Sequence, residues 1–112
     1  MKTATVPTYF VRLYMAGSIE DAKRQLRQEC YPPNDGLCVT VEPTTFIYTG
    51  GEEAGFVVGF VNYPRFPSPP AELWARAREI ACRLIPALRQ WSALLVASDR
   101  TEWLNAKPEG QP

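Results

Sequence analysis

Tyr63-Pro64-Arg65-Phe66-Pro67 is the most distinctive polar-aromatic segment of the chain. An arginine between two rings on a loop stiffened by proline loses little entropy when it docks, and Arg and Tyr are residue types that dominate protein interfaces. Two further stretches carry rings at strand spacing: Tyr9-Phe10-Val11-Arg12-Leu13-Tyr14 and Gly55-Phe56-Val57-Val58-Gly59-Phe60. Rings displayed on a strand can stack a base, hold a flat ligand or bury against another protein surface. Residues for covalent chemistry are scarcer. The absence of His removes the commonest general base near neutral pH and the commonest metal ligand. Glu52 and Glu53 are adjacent and read as the solvated acidic tip of a turn, not as an acid–base pair. Gly50-Gly51 has neither the lysine nor the following helix of a phosphate cradle. Cys30, Cys38 and Cys82 show no Cys-x-x-Cys spacing, so they are expected to be reduced and to serve as small hydrophobes. No catalytic residue, metal site or cofactor is expected on these grounds, and the chain reads as non-enzymatic.

The 112 residues suit one domain, and 46% hydrophobic residues are ample for a single core. Twelve Lys plus Arg balance twelve Asp plus Glu. Net neutrality withholds the attraction on which most non-specific nucleic-acid or anionic-membrane binding depends. Residues 1–8 lack the apolar run of a signal peptide, and no segment approaches the roughly 18 apolar residues of a membrane span. A cytoplasmic location is the corresponding expectation.

The elements that must position these rings follow from periodicity. Tyr9 to Met15 is a strand, with bulky and β-branched residues broken only by Arg12. Ser18 offers an N-cap, and Ile19, Ala22, Leu26 and Cys30 form one apolar stripe on a helix that ends before Pro32-Pro33. Leu37 to Thr49 is extended with a break at Glu42-Pro43, Pro43 marking an edge strand or bulge. Gly50 to Glu53 is the turn of a hairpin whose second strand is Gly55 to Tyr63. Ser68-Pro69-Pro70 starts a second helix with Leu73, Ala77, Ile80, Ala81, Leu84, Leu88 and Trp91 on one face and Pro86 kinking its end. Arg76, Arg78, Arg83 and Arg89 read as a solvated basic face on that helix rather than a nucleic-acid stripe. Ser92 to Ser98 is a last strand, with room for a short extra one at Thr101 to Leu104.

Strand, helix, strand, strand, helix, strand is the ferredoxin-like βαββαβ order: an α+β fold with a four-stranded antiparallel sheet and two helices on one face. Residues 1–104 form the expected domain and 105–112 a flexible tail. With Tyr9, Val11, Leu13 and Met15 under the helices, Phe10, Arg12 and Tyr14 look out from the open face. Gly55 and Gly59 suit a face where another element packs closely, which sends Phe56, Val58 and Phe60 to the open face; one bulge would invert this assignment. So many exposed rings demand a cover. The expected working surface is Phe10, Arg12, Tyr14, Phe56 and Phe60, with Tyr63, Arg65 and Phe66 beside it.

The chain is thus expected to be a small non-enzymatic binding or interaction protein, a homodimer through its open sheet face or the partner of another protein, with no cofactor and no membrane. One alternative is a single-stranded RNA binder like the RNA-recognition motifs, stacking bases on Phe10 and Phe56. Against it, Val58 stands where a second stacking ring belongs. Another is a small-ligand binder or cofactor-free enzyme of dimeric α+β barrel type. Tyr9 to Gly17, Phe46 to Glu53 and Val61 to Pro67 together resemble small proteins encoded by phages and prophages of Gram-negative bacteria. The resemblance implies a bacterial cytoplasm and an accessory role, and brings no activity and no catalytic residues.

Overall fold

Strict alternation makes β1, Phe10–Ala16, the centre of the sheet: Val11, Leu13 and Met15 are buried while Arg12 is exposed. The computed structural model describes residues 1–32 and 37–108. After β1, Gly17 turns the chain at φ +122, and Ser18 caps α1 (Ile19–Glu29) by accepting the Asp21 N–H at 3.2 Å. Ala22 and Leu26 of the expected stripe reach the core. Of the two prolines expected to end this helix, Pro33 lies outside the described residues.

β2 (Val39–Tyr48) and β3 (Gly51–Val61) pair along their whole length through a two-residue turn in which Gly50 takes φ +94. Glu52 and Glu53 therefore stand in β3, not in the expected turn, and the break expected at Pro43 is absent because β2 is an edge strand that does not need that N–H. α2 (Pro70–Ala87) has Pro69 at its N-cap without a side-chain bond; Ser68, expected there, instead donates its backbone N–H to Asn62 Oδ1 at 3.0 Å. β4 (Ser92–Ala97) and β5 (Thr101–Asn105) complete a five-stranded antiparallel sheet in the order β2-β3-β1-β4-β5. The four-stranded expectation is corrected: the short extra strand continues the sheet beyond β4. Asn105, expected in the tail, belongs to β5, and the Ala106 N–H donates to Trp91 O at 2.7 Å. Residues 109–112 of the expected tail lie outside the described residues.

One hydrophobic core joins β1, β3 and β4 to α1 and α2. Its largest fully buried side chains include Phe56 and Phe60, each 0% exposed. Their expected place on the open face is corrected. Volume decides the matter: on the helix side of β3, Phe56, Val58 and Phe60 oppose Met15, Leu13 and Val11 in register and fill the space under α2. The glycines fall on the other side, where β2 supplies the missing bulk. A Cβ on Gly55 would collide with the Phe46 ring and the Met15 carbonyl oxygen, and one on Gly59 with the Thr40 hydroxyl. Close approach at glycine was the right inference; the approaching element is the neighbouring strand, not a helix. No described helix is long and apolar enough to cross a membrane.

Candidate functional site

The pairing register lays the open-face side chains out in rows across the strands. Glu42, Val57, Tyr14, Leu94 and Trp103 form one row, and Thr40, Gly59, Arg12, Val96 and Thr101 the next. Neighbours within a row are about 4.8 Å apart and the rows about 7 Å apart. An acid, a phenol, a guanidinium and an indole thus share one surface roughly 20 Å across, on the side of the sheet away from α1 and α2.

The surface is concave at both ends. At the start of β1 a groove of about 500 Å³ is lined by Ala4, Thr5 and Val6 and by Phe10, Arg12 and Gly59, with Thr40 and Glu42 of β2. The Arg12 guanidinium lies 4.8 Å from the centre of the Phe10 ring, a cation–π contact that holds it over the groove. At the other end of β1 a groove of about 400 Å³ is lined by Tyr14, Phe46, Trp91, Leu94 and Trp103, with Glu53 the carboxylate in its wall. Such a site can hold a flat aromatic ring at one end and a charged, hydrogen-bonding group at the other. Among the described residues no cluster of three or more His, Cys, Asp or Glu side chains could hold a metal ion.

Of the residues singled out from the sequence, Phe10, Arg12 and Tyr14 meet on this face. Phe56 and Phe60 lie on the opposite side, inside the core, so Phe56 cannot stack a base and the RNA-recognition reading loses its second platform. Tyr63, Arg65 and Phe66 lie on an exposed turn whose Pro64 borders the groove at the start of β1; the turn is closed by the Phe66 N–H to Tyr63 O bond at 2.8 Å, with Arg65 5.4 Å from the Phe66 ring centre. Thr40, Glu42, Phe46 and Trp103 were missed. Alternation along β2 carried the signal for the first three, obscured by the break assigned to Pro43; Trp103 needed β5. The basic face of α2 is in part paired: Arg78 Nε bonds Glu102 at 2.7 Å, and Arg83 grips Glu29 with Nη2 at 2.6 Å. Cys38 and Cys82 are exposed, against the expectation that all three cysteines serve as small hydrophobes. Burial pushes the Cys30 thiol above its usual range, with nearby Cys38 and Glu29 adding to the shift.

No protein-family model and no curated protein matches the sequence. Two solved structures share its fold. One is a phage SAM lyase in its apo state, 9% identical, with a TM-score of 0.62 over 89% of this chain and 90% of that one. The other is a phage SAM lyase in complex with S-methyl-5′-thioadenosine, 12% identical, with a TM-score of 0.64 over 100% of this chain and 98% of that one. These neighbours overturn the expectation of a non-enzymatic interaction protein, since the fold matched end to end is that of an enzyme with a small nucleoside bound. The inference from missing His to missing catalysis was too strong, because it holds only for reactions that need a proton moved near neutral pH.

Proposed function

We propose that the chain is a small enzyme of the SAM-lyase type, which holds S-adenosylmethionine on its open sheet face and releases S-methyl-5′-thioadenosine. The observation that carries the reading is the near full-length likeness to a phage SAM lyase in complex with that nucleoside. It joins an open face on this chain that already brings rings, an arginine and carboxylates together.

The reaction suits these residue types. Release of S-methyl-5′-thioadenosine breaks the bond between sulfur and the methionine carbon of a sulfonium: the bonding electrons go to sulfur, which leaves as a neutral thioether, and the vacated carbon is taken by the substrate's own carboxylate oxygen, so that a lactone is the second product and no proton changes hands. No proton is needed on that leaving group, so neither His nor another general acid is required. Positive charge on sulfur fades as the bond breaks. A ring-lined groove that sheds water as the substrate binds therefore favours the transition state over a ground state that water would solvate well. Tyr14 and Trp103 offer their faces to the adenine and the sulfonium. In this reading Arg12 orients the methionine carboxylate and Glu42 takes the ammonium; the two stand on β1 and β2, one row apart. Within this reading the first four strands and two helices are ferredoxin-like, the chain is phage-encoded as its neighbours are, and its work is done in the host cytoplasm.

The test is calorimetric titration with S-methyl-5′-thioadenosine. Binding is expected with the wild-type chain. Trp103→Ala, at a residue already 63% exposed, should stay folded and bind about 5-fold more weakly, the low end of one lost stacking contact. Equal binding by the wild type and Trp103→Ala would remove the ring from the site, and no heat with the folded wild-type chain would count against the reading as a whole.

A further inference from the structure

Asn62 stands where three stretches of chain meet. Its backbone N–H donates to Tyr9 O at 2.9 Å, which carries the β1–β3 ladder one step past Val61. Its side chain works in both directions: Nδ2 donates to Pro7 O at 2.9 Å, and Oδ1 accepts the Ser68 N–H at 3.0 Å. The Ser68 bond closes the Tyr63-Pro64-Arg65-Phe66-Pro67 turn at its base. The Pro7 bond ties down residues 1–8, which belong to no strand or helix.

Both tied segments reach the groove at the start of β1. Thr5 and Val6 line it from the N-terminal segment, Pro64 from the turn, and Asn62 lines it as well. Arg12 and Glu42, which the proposed site uses, come to the same groove from the sheet. Thr5 and Val6 are not part of the core. Buried Tyr9 anchors their segment at one end, and the bond to Pro7, whose φ is fixed by its ring, sets its course two residues further on. The sheet's contribution to the groove is therefore rigid, and the rest depends on one amide.

We propose that Asn62 is a positioning residue of the proposed site: through Pro7 and the 63–67 turn it holds the lining that confines the amino-acid end of S-adenosylmethionine beside Arg12 and Glu42. The inference rests on the proposed function and deepens it by dividing the face. The adenine end depends on Tyr14 and Trp103, and the amino-acid end on a frame that Asn62 pins. Because the carboxylate oxygen of that end takes the vacated carbon, its placement governs the chemical step as well as affinity.

Two ligands read the two ends apart. S-methyl-5′-thioadenosine lacks the amino-acid arm, whereas S-adenosylhomocysteine carries it on a neutral thioether that does not undergo the cleavage. In calorimetric titration the wild type should bind S-adenosylhomocysteine about 10-fold tighter, the low end for one hydrogen bond to a charged group. Asn62→Asp keeps the acceptor for Ser68, loses the donor to Pro7 and sets a carboxylate against that carbonyl. Its affinity for S-methyl-5′-thioadenosine should stay at the wild-type level while the preference for S-adenosylhomocysteine disappears. Its release of S-methyl-5′-thioadenosine from S-adenosylmethionine should fall about 100-fold, as a misplacement of roughly 1 Å at a reacting group does. A merely structural role would move both affinities together. The double substitution Thr5→Gly, Val6→Gly strips lining side chains that lie outside the core, should give the same pattern, and decides the matter where Asn62→Asp does not fold. Folded variants that keep either the preference or wild-type release would overturn the inference and leave the proposed function standing. So would variants whose two affinities fall together, or a wild type that binds S-methyl-5′-thioadenosine as tightly as S-adenosylhomocysteine. A folded wild type that binds neither ligand fails the proposed function and takes the inference with it.

Discussion

Single residues fix both the floor of the site and the join between the helices. Gly55→Ala should destabilise the fold by about 1–3 kcal/mol, the usual cost of overpacking, because the new methyl meets the Met15 backbone oxygen, which cannot rotate away. Gly59→Ala should cost less, since it meets only the Thr40 hydroxyl. Paired chemical denaturation curves check the order. At the helix join, Arg83 donates to both oxygens of Glu29, Nε at 3.1 and 2.9 Å and Nη2 at 2.6 Å, while Gln25 Nε2 adds a bond at 3.4 Å. The Arg83 hydrogen bonds hold the Glu29 carboxyl below its ordinary value of 4.5, against the opposing effect of burial. A depressed carboxyl contributes stability that is full above 4.5 and fades as pH falls through the lower folded value. Arg83→Met should therefore cost on the order of 1 kcal/mol at pH 7, a figure held down by the half exposure of Arg83, and the gap to wild type should narrow as the solution is taken down toward pH 3.

Elements show where sequence reasoning reaches and where it stops. Both helices were legible because Ala22 and Leu26, and Ala77, Ile80 and Leu84, recur at helical spacing and are buried as expected. β1 was legible through its alternation. β3 was not, because it has apolar residues or glycine on both faces, so its period marks two faces without saying which is inside. Only the register against β1, which sets Phe56 opposite Met15, settles it. The error moved two of the four rings expected on the sheet's open face into the core while leaving Phe10, Arg12 and Tyr14 in place. Phe56→Ala should accordingly act as a core deletion of about 3–5 kcal/mol and lose the folded baseline in thermal melts, rather than abolish binding on an intact fold. Trp91, expected on α2, lies beyond it at 54% exposure, because the helix ends at Ala87 and Arg89 takes φ 57 before β4 begins.

At the scale of the whole molecule, neutrality hides a division of charge: an acidic hairpin projects from a body of opposite sign. Composition alone could not show this, since a sum over the chain erases where each charge sits. The absence of His misled for a related reason, in that it weighs against proton-transfer chemistry but not against departure of a sulfonium, which is already a good leaving group. The open face, with rings at its centre and charges along its rows, carries the functional account. Incubation of the purified chain with S-adenosylmethionine, followed by chromatographic measurement of S-methyl-5′-thioadenosine, tests it most directly. The expected result is release by the wild type, reduced at least 100-fold in a folded Tyr14→Ala, Arg12→Ala chain, an effect of about 2.7 kcal/mol on the barrier. Release left unchanged by that double substitution, or no release from the folded wild type, would contradict the assignment of the reaction to this face.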